Sequence, residues 1–243
     1  MNYASVIDYV GLPQIANYGG FDTTPKVPLG TIVQASDQYW GSGEFIYVQM
    51  PVSSALKVGA LLTYDFATAF QATLVPVTTL LGKALGVLIQ PLTSQTFAQY
   101  GWLQISGYAP IWSGVNVAAN TAIGASTTVP GQAAALVAGK ALLATRVTLP
   151  SSTNFTKNVG TQNGSPNLIV PNTDGIIPGM LIAGTGIPAA TSVLSVDITG
   201  KFITLSANCT ATNTVVGTFT YATAADFFNL CTFNRISHQG PIT

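Results

Sequence analysis

Turn-forming residues interrupt this chain at intervals of roughly 8–12 residues, the spacing of β-sandwiches and barrels. With 24 glycines and 14 prolines, the apolar runs between them are too short for helices of ordinary length. Residues 44–50 (EFIYVQM) are rich in β-branched and aromatic side chains and lie between Gly43 and Pro51. Residues 61–64, 72–77 and 85–89 are similar runs, with Pro76 best suited to an edge or a bulge. In 101–109, Trp102, Gln104, Ser106 and Tyr108 alternate with Leu103, Ile105 and Ala109, the period of a strand. The alanine-rich stretch 132–144 has a composition that allows a helix. Gly139 breaks it, however, and Val147 and Thr148 follow, so a strand is the expectation. The fold class these signals predict is all-β, with at most about one short helix: a β-sandwich or barrel-like core domain, a smaller inserted or appended β-module, and an extended N-terminal arm.

Residues 1–30 are the arm. Tyr3, Tyr9, Tyr18 and Phe21 stand among Gly11, Pro13, Gly19, Gly20, Pro25, Pro28 and Gly30, with neither strand nor helix period. Burying one aromatic gains roughly 1.5–3 kcal/mol, whereas ordering backbone costs about 1–2 kcal/mol per residue. The four aromatics are therefore expected to order against a neighbouring subunit or a partner, and they are the candidate contact residues. The core domain is expected over 31–157. Residues 151–154 read as a linker, after which the chain grows richer in Asn, Thr and Gly. Residues 158–221 are expected to form a separable β-module, with 192–198 and 201–206 flanking Thr199 and Gly200 as a tight hairpin. Residues 222–243, with Phe227, Phe228, Leu230, Phe233 and Ile236, are expected to return to the core as a strand, which makes the module a probable insertion; a C-terminal appendage is the alternative. Gly59, Gly139 and Gly179 each precede an apolar pair, a pattern that fits a turn with positive φ launching a strand.

Charged residues make up 7 % of the chain, eight basic and eight acidic, for a net charge of zero. Eight scattered cations supply no nucleic-acid footprint. The helical and coiled-coil classes, which use Glu, Lys and Arg heavily, are disfavoured as well. No charge occurs between Lys83 and Lys140, yet Gln90, Gln95, Gln99 and Gln104 interrupt the apolar residues there. No run approaches the roughly 20 apolar residues of a membrane helix, and a porin-like barrel is a weaker rival. Residues 1–11 (MNYASVIDYVG) have neither a basic start nor an apolar stretch, so no secretory leader is expected. A surface this poor in charge suits a chain covered by partners, or a neutral extracellular β-domain.

Catalytic constellations are thin. His238 is the sole histidine and reads as a solvated near-terminal residue, which leaves no histidine-based metal cluster. The acids Asp8, Asp22, Asp37, Glu44, Asp65, Asp174, Asp197 and Asp226 stand far apart in sequence. Gly184-Thr185-Gly186-Ile187-Pro188-Ala189 matches G-x-G-x-x-A formally, but strand-like residues follow where a dinucleotide fingerprint needs a helix. Cys209 and Cys231 fit free buried thiols better than a disulfide. Trp40, Trp102 and Trp112 with Tyr39, Tyr100 and Tyr108 fit core packing better than a sugar-binding face. No enzyme activity, cofactor or metal is expected.

Three segments in succession carry a resemblance: GEFIYVQMPVSSALKVGALLTYD (43–65), LGKALGVLIQPLTSQTFAQYGWLQISGYAPIW (81–112) and VNVAANTAIGAS (115–126). The second has an apolar strand, a short polar stretch and a strand like G-W-V-x-V-x-G. The third is similar to a V-x-A-G-D-x-L turn, with Ala119 where glycine is common and Asn120 where an acid is common. Residues 43–149 thereby resemble the decoration, or cement, proteins of tailed-bacteriophage heads. Residues 165–221, with GMLIAGTGIPAATSVLSVD (179–197) and ITLSANCTAT (203–212), look like a small β-module found among phage structural proteins. The resemblance implies a virion protein on the outer surface of the capsid, commonly a homotrimer at local three-fold positions. Such a protein bridges subunits of the major capsid protein and stabilises the shell, with no nucleic acid or membrane as partner. The alternative is a tail or tail-fibre adhesin that binds host-surface glycans.

Overall fold

A computed structural model describes residues 4–5, 15, 21–37, 39–78, 82–197, 199–223 and 226–239. Among them there is no α-helix. A single 3-10 turn, Phe66–Thr68, is capped by the Asp65 carboxylate, which accepts from the Thr68 N–H. The chain is all-β, as its turn spacing predicts, and its strands form two antiparallel-dominated sheets that do not close into barrels.

The larger sheet has eleven strands. The first six are β1 (Ala4–Ser5), β2 (Ile32–Asp37), β3 (Gly41–Gln49), β4 (Leu61–Thr63), β5 (Thr73–Leu74) and β6 (Leu85–Leu88). The others are β7 (Tyr100–Ser113), β8 (Ile123–Ala125), β9 (Ala133–Ala135), β10 (Leu142–Leu149) and, after a long excursion, β17 (Phe227–His238). The order β1-β2-β3-β7-β6-β4-β5 makes β7 the central strand, and β17 lies between β7 and β10. The alternation of β7 puts Leu103 and Ile105 into one apolar cluster with Ile46, Val48 and Leu88. Ala109 and Ile111 enter another with Leu61, Val87, Val147 and Cys231.

The excursion is the second sheet. It comprises β11 (Asn154–Thr161), β12 (Asn167–Ile169), β13 (Leu181–Ala183), β14 (Val193–Val196), β15 (Phe202–Leu205) and β16 (Asn213–Thr220). Its order is β13-β16-β11-β12-β15-β14. The segment just before β14 reaches β13 through the isolated bridge Leu181↔Ser192 and the hydrogen bond from Ile182 N–H to Thr191 O at 3.0 Å, which partly covers these ends without a continuous ladder that would close a barrel. Asn154 and Thr220 face each other across the ladder, so the chain enters and leaves this sheet at one neck.

A common apolar cluster joins the two sheets. It contains Trp40 and Phe228 from the large sheet and Val159, Ile176, Ile182, Phe219 and Tyr221 from the small one. The close approach demands glycine: a Cβ on Gly179 (φ +97) would lie 2.7 Å from Cζ of Phe228. All three glycines noted for turn chemistry have positive φ, at 82° for Gly59, 76° for Gly139 and 97° for Gly179.

Candidate functional site

The residues that sequence reasoning placed at partner contacts diverge. Tyr3, Tyr9 and Tyr18 lie outside the described residues. Phe21 is half-buried against its own core, close enough to Gly101 that a Cβ there would meet its Cδ1 at 2.5 Å. The backbone of His238 belongs to the last strand and pairs with Leu142. Among the described residues no group of three or more His, Cys, Asp or Glu side chains is placed to hold a metal. Gly184 and Gly186 form a turn, closed by Ile187 N–H to Gly184 O at 3.0 Å, that leads into β14 and not into a helix. Trp40 and Trp102 are buried; Trp102 packs edge-on to Tyr47 at 5.0 Å, and the Trp112 indole donates to Asp226 at 2.7 Å. These rings are framework. Both cysteines are buried and unpaired.

The charges are largely engaged within the fold. Lys57 pairs with Asp226, and Lys83 with Asp65 at 2.9 Å. The Asp37 carboxylate accepts from the Tyr39 and Trp40 N–H groups, both at 2.7 Å. Arg146 donates to Asn120 O and Lys201 to Pro171 O. Among the described residues these paired side chains still reach solvent, Lys57 being 51 % and Lys83 45 % exposed, and between them lie hydroxyl, amide and apolar groups.

Two rows of side chains stand out on that surface. Directly opposed residues in a sheet project to one face, so register alone aligns them. On the small sheet the row is Thr214, Gly160, Ile169, Phe202, with Asn158 beside Val216 one step away and Asn167 beside Thr204 on the other side. Gly160 leaves a dip between its neighbours, part of a groove of about 490 Å³. None of these side chains is charged, and Ile169, Phe202 and Val216 are 58 %, 47 % and 58 % exposed.

On the large sheet the row is Gln34, Glu44, Ser106, Asn234, which crosses β2, β3, β7 and β17. It sits where β7 changes partner: β6 pairs with β7 at Leu103 and Gln104, and β17 takes over from Ser106 onward. Three irregularities coincide there. β3 has a bulge between Glu44 and Phe45, Gly107 takes φ +118, and Arg235 takes φ +48. Pairing of β10 with β17 skips from Phe233 to Ser237, and this bulge carries Arg235 to Glu44. The contact is bidentate, Nε to Oε2 at 3.0 Å and Nη2 to Oε1 at 3.2 Å. The Glu44 carboxylate beside it raises the Arg235 pKa above its ordinary value, and the two opposite formal charges offset each other along the row. Gln34, Ser42, Gly43, Glu44, Ser106, Asn234 and Arg235 line an open groove of about 470 Å³. An ion pair this exposed contributes little to stability, whereas left-handed backbone at an arginine is a cost.

Sequence reasoning found neither row. Glu44 and Arg235 are 191 residues apart, and the polar row becomes visible only once four strands are in register. Comparison with protein families, with curated proteins and with solved structures finds no match to this chain.

Proposed function

We propose that this chain is a structural virion protein. In this reading it binds the outer surface of a bacteriophage capsid as a homo-oligomer, a trimer, and stabilises the shell by bridging subunits of the major capsid protein. The observation that carries the reading is the outer face of the small sheet, uncharged and part apolar, with Ile169 and Phe202 side by side in the open. Such a face pairs with another uncharged protein surface and gives up no strongly hydrated group on contact. The motif resemblance over 43–149 and 165–221 supports the same reading. A protein that binds only the assembled shell stabilises it by mass action, and repetition over many sites adds avidity.

The test is rebinding. Capsids stripped of this protein are mixed with the purified chain and with Phe202→Asp or Ile169→Asp. The wild-type chain is expected to raise the temperature at which particles release DNA. Either variant, its melting midpoint unchanged in isolation, is expected to bind at least tenfold more weakly. Equal occupancy by the variants would remove the small sheet from the contact. Failure of the wild-type chain to bind any such shell would overturn the reading.

A further inference from the structure

We propose that the polar row Gln34–Glu44–Ser106–Asn234, with Arg235 folded over it, is a binding groove for a neutral oligosaccharide. The composition of the groove sets the ligand class. Two amides, two hydroxyls including Ser42, a carboxylate and a guanidinium offer donors and acceptors side by side, the pattern that hydroxyl-rich ligands satisfy. Because Glu44 and Arg235 neutralise each other at 3.0 and 3.2 Å, the groove selects against ligands with a net charge. The bidentate pair holds Glu44 and Arg235 against each other, and the Ser106 hydroxyl lies 3.5 Å from Asn234 Oδ1, so these four groups enter binding partly positioned.

The geometry sets the ligand's length. Adjacent strands lie about 4.8 Å apart, a step close to that of one pyranose unit. The four polar positions cross four strands, so two or three sugar units laid across the sheet place hydroxyls over each of them. The volume of about 470 Å³ accommodates such a ligand. No aromatic ring lines the groove, so hydrogen bonds alone carry recognition and the affinity is expected to be millimolar.

The backbone supplies a second, independent support. Glu44 and Arg235 meet where two bulges and two residues of positive φ, Gly107 and Arg235, coincide at the change of partner along β7. Irregularities of this kind re-aim side chains at binding sites. The inference does not depend on whether the chain coats a capsid.

The experiment is ligand-detected NMR on the isolated full-length chain. The probes are maltotriose, cellotriose, mannotriose and tri-N-acetylchitotriose, with sialyllactose as the charged control and glucose, mannose and N-acetylglucosamine as single units. At least one neutral trisaccharide is expected to bind, at least tenfold more tightly than its single unit and than sialyllactose. Glu44→Gln and Asn234→Ala should each weaken it at least tenfold. Arg235→Gly should abolish it while leaving the melting midpoint equal or higher, because glycine relieves the positive φ. If none of the trisaccharides binds at millimolar concentration, the inference fails. If one binds and these variants bind it equally, the groove is not its site. If Arg235→Gly lowers the midpoint substantially and leaves binding intact, the ion pair is only a clamp on the sheet.

Discussion

Asn229 ties together three segments of backbone. Its side chain is fully buried, donates to Val115 O at 3.0 Å, and accepts from Val117 N–H at 3.1 Å and Ser151 N–H at 3.2 Å. It thereby closes the neck of the excursion, Ser151 lying just before the small sheet and Asn229 on the strand that follows it. Asn229→Ala leaves two buried backbone N–H groups, those of Val117 and Ser151, without their acceptor, each costing about 1–3 kcal/mol, while Val115 O keeps the Ser113 hydroxyl at 2.8 Å. Chemical denaturation is expected to show a loss of about 2 kcal/mol or more; a loss under about 1 kcal/mol would contradict the role. Nothing in FFNLC marks this asparagine, because its partners are backbone groups far away in sequence. The glycines were more legible. At Gly59 a Cβ would stand 2.5 Å from Trp112 N, whereas at Gly139 there is nothing within 4 Å. Gly139→Ala should therefore cost only the backbone penalty of about 1–2 kcal/mol. Gly59→Ala should cost clearly more, since the obstructing atoms are main chain. Equal losses in urea titrations would show that crowding at Gly59 is relieved elsewhere.

Strands with strong local patterns could be read ahead of the structure, and strands defined by distant partners could not. The run EFIYVQM forms β3 from Glu44 to Gln49, the alternation in 101–109 is the first part of β7, and the hairpin about Thr199 and Gly200 joins β14 to β15. The stretch 132–144 became two strands, β9 and β10, separated at Gly139 and Lys140. By contrast, β11 opens at Asn154 within residues that read as a linker, because NFTKNVGT shows solvent a polar face and hides only Val159 and Thr161. β2 went unread for the same reason: Val33 and Ala35 are its buried residues and the rest is polar or exposed. The partner change along β7, and with it the polar row, follows from pairing over long separations that no local window contains. Packing between sheets is equally non-local. Trp40 and Phe228 are buried in a cluster shared with the small sheet. Replacing residues 154–220 with a short Gly/Ser link removes the cover from both rings, roughly 1.5–3 kcal/mol each. The shortened chain should keep a far-UV strand signal while its midpoint falls by about 10 °C, given a few degrees per kcal/mol. An unchanged midpoint would show that the shared cluster contributes nothing to the large sheet.

Taken whole, the molecule buries groups that resist ionisation. Burial pushes the Cys231 thiol up to about 12 from an ordinary value of 9.0. Burial likewise raises the hydroxyls of Tyr108 and Tyr221, and that of Tyr47, which also donates to Asp22. In each case the native state holds its proton where the unfolded chain releases it. The contribution is therefore intact below the ordinary values of 9.0 and 10.0 and is lost as pH climbs through the raised ones. Unfolding free energy should be level from neutral pH to about pH 9 and decline steeply above it; a flat profile to pH 11 would contradict the buried thiol and tyrosines. Among the described residues, lysine and arginine side chains such as Lys57, Lys83 and Arg235 are paired, and the small sheet turns an uncharged face outward. That combination motivates the central claim, that the chain is a shell protein of a virion. The most direct measurement is cryo-electron microscopy of intact particles, with the two-sheet fold located in the density. The account predicts hundreds of copies on the outside of the capsid, clustered at local three-fold positions, with the face carrying Ile169 and Phe202 against the major capsid protein. Density confined to the tail or its fibres, or no density for this fold anywhere on the particle, would contradict it.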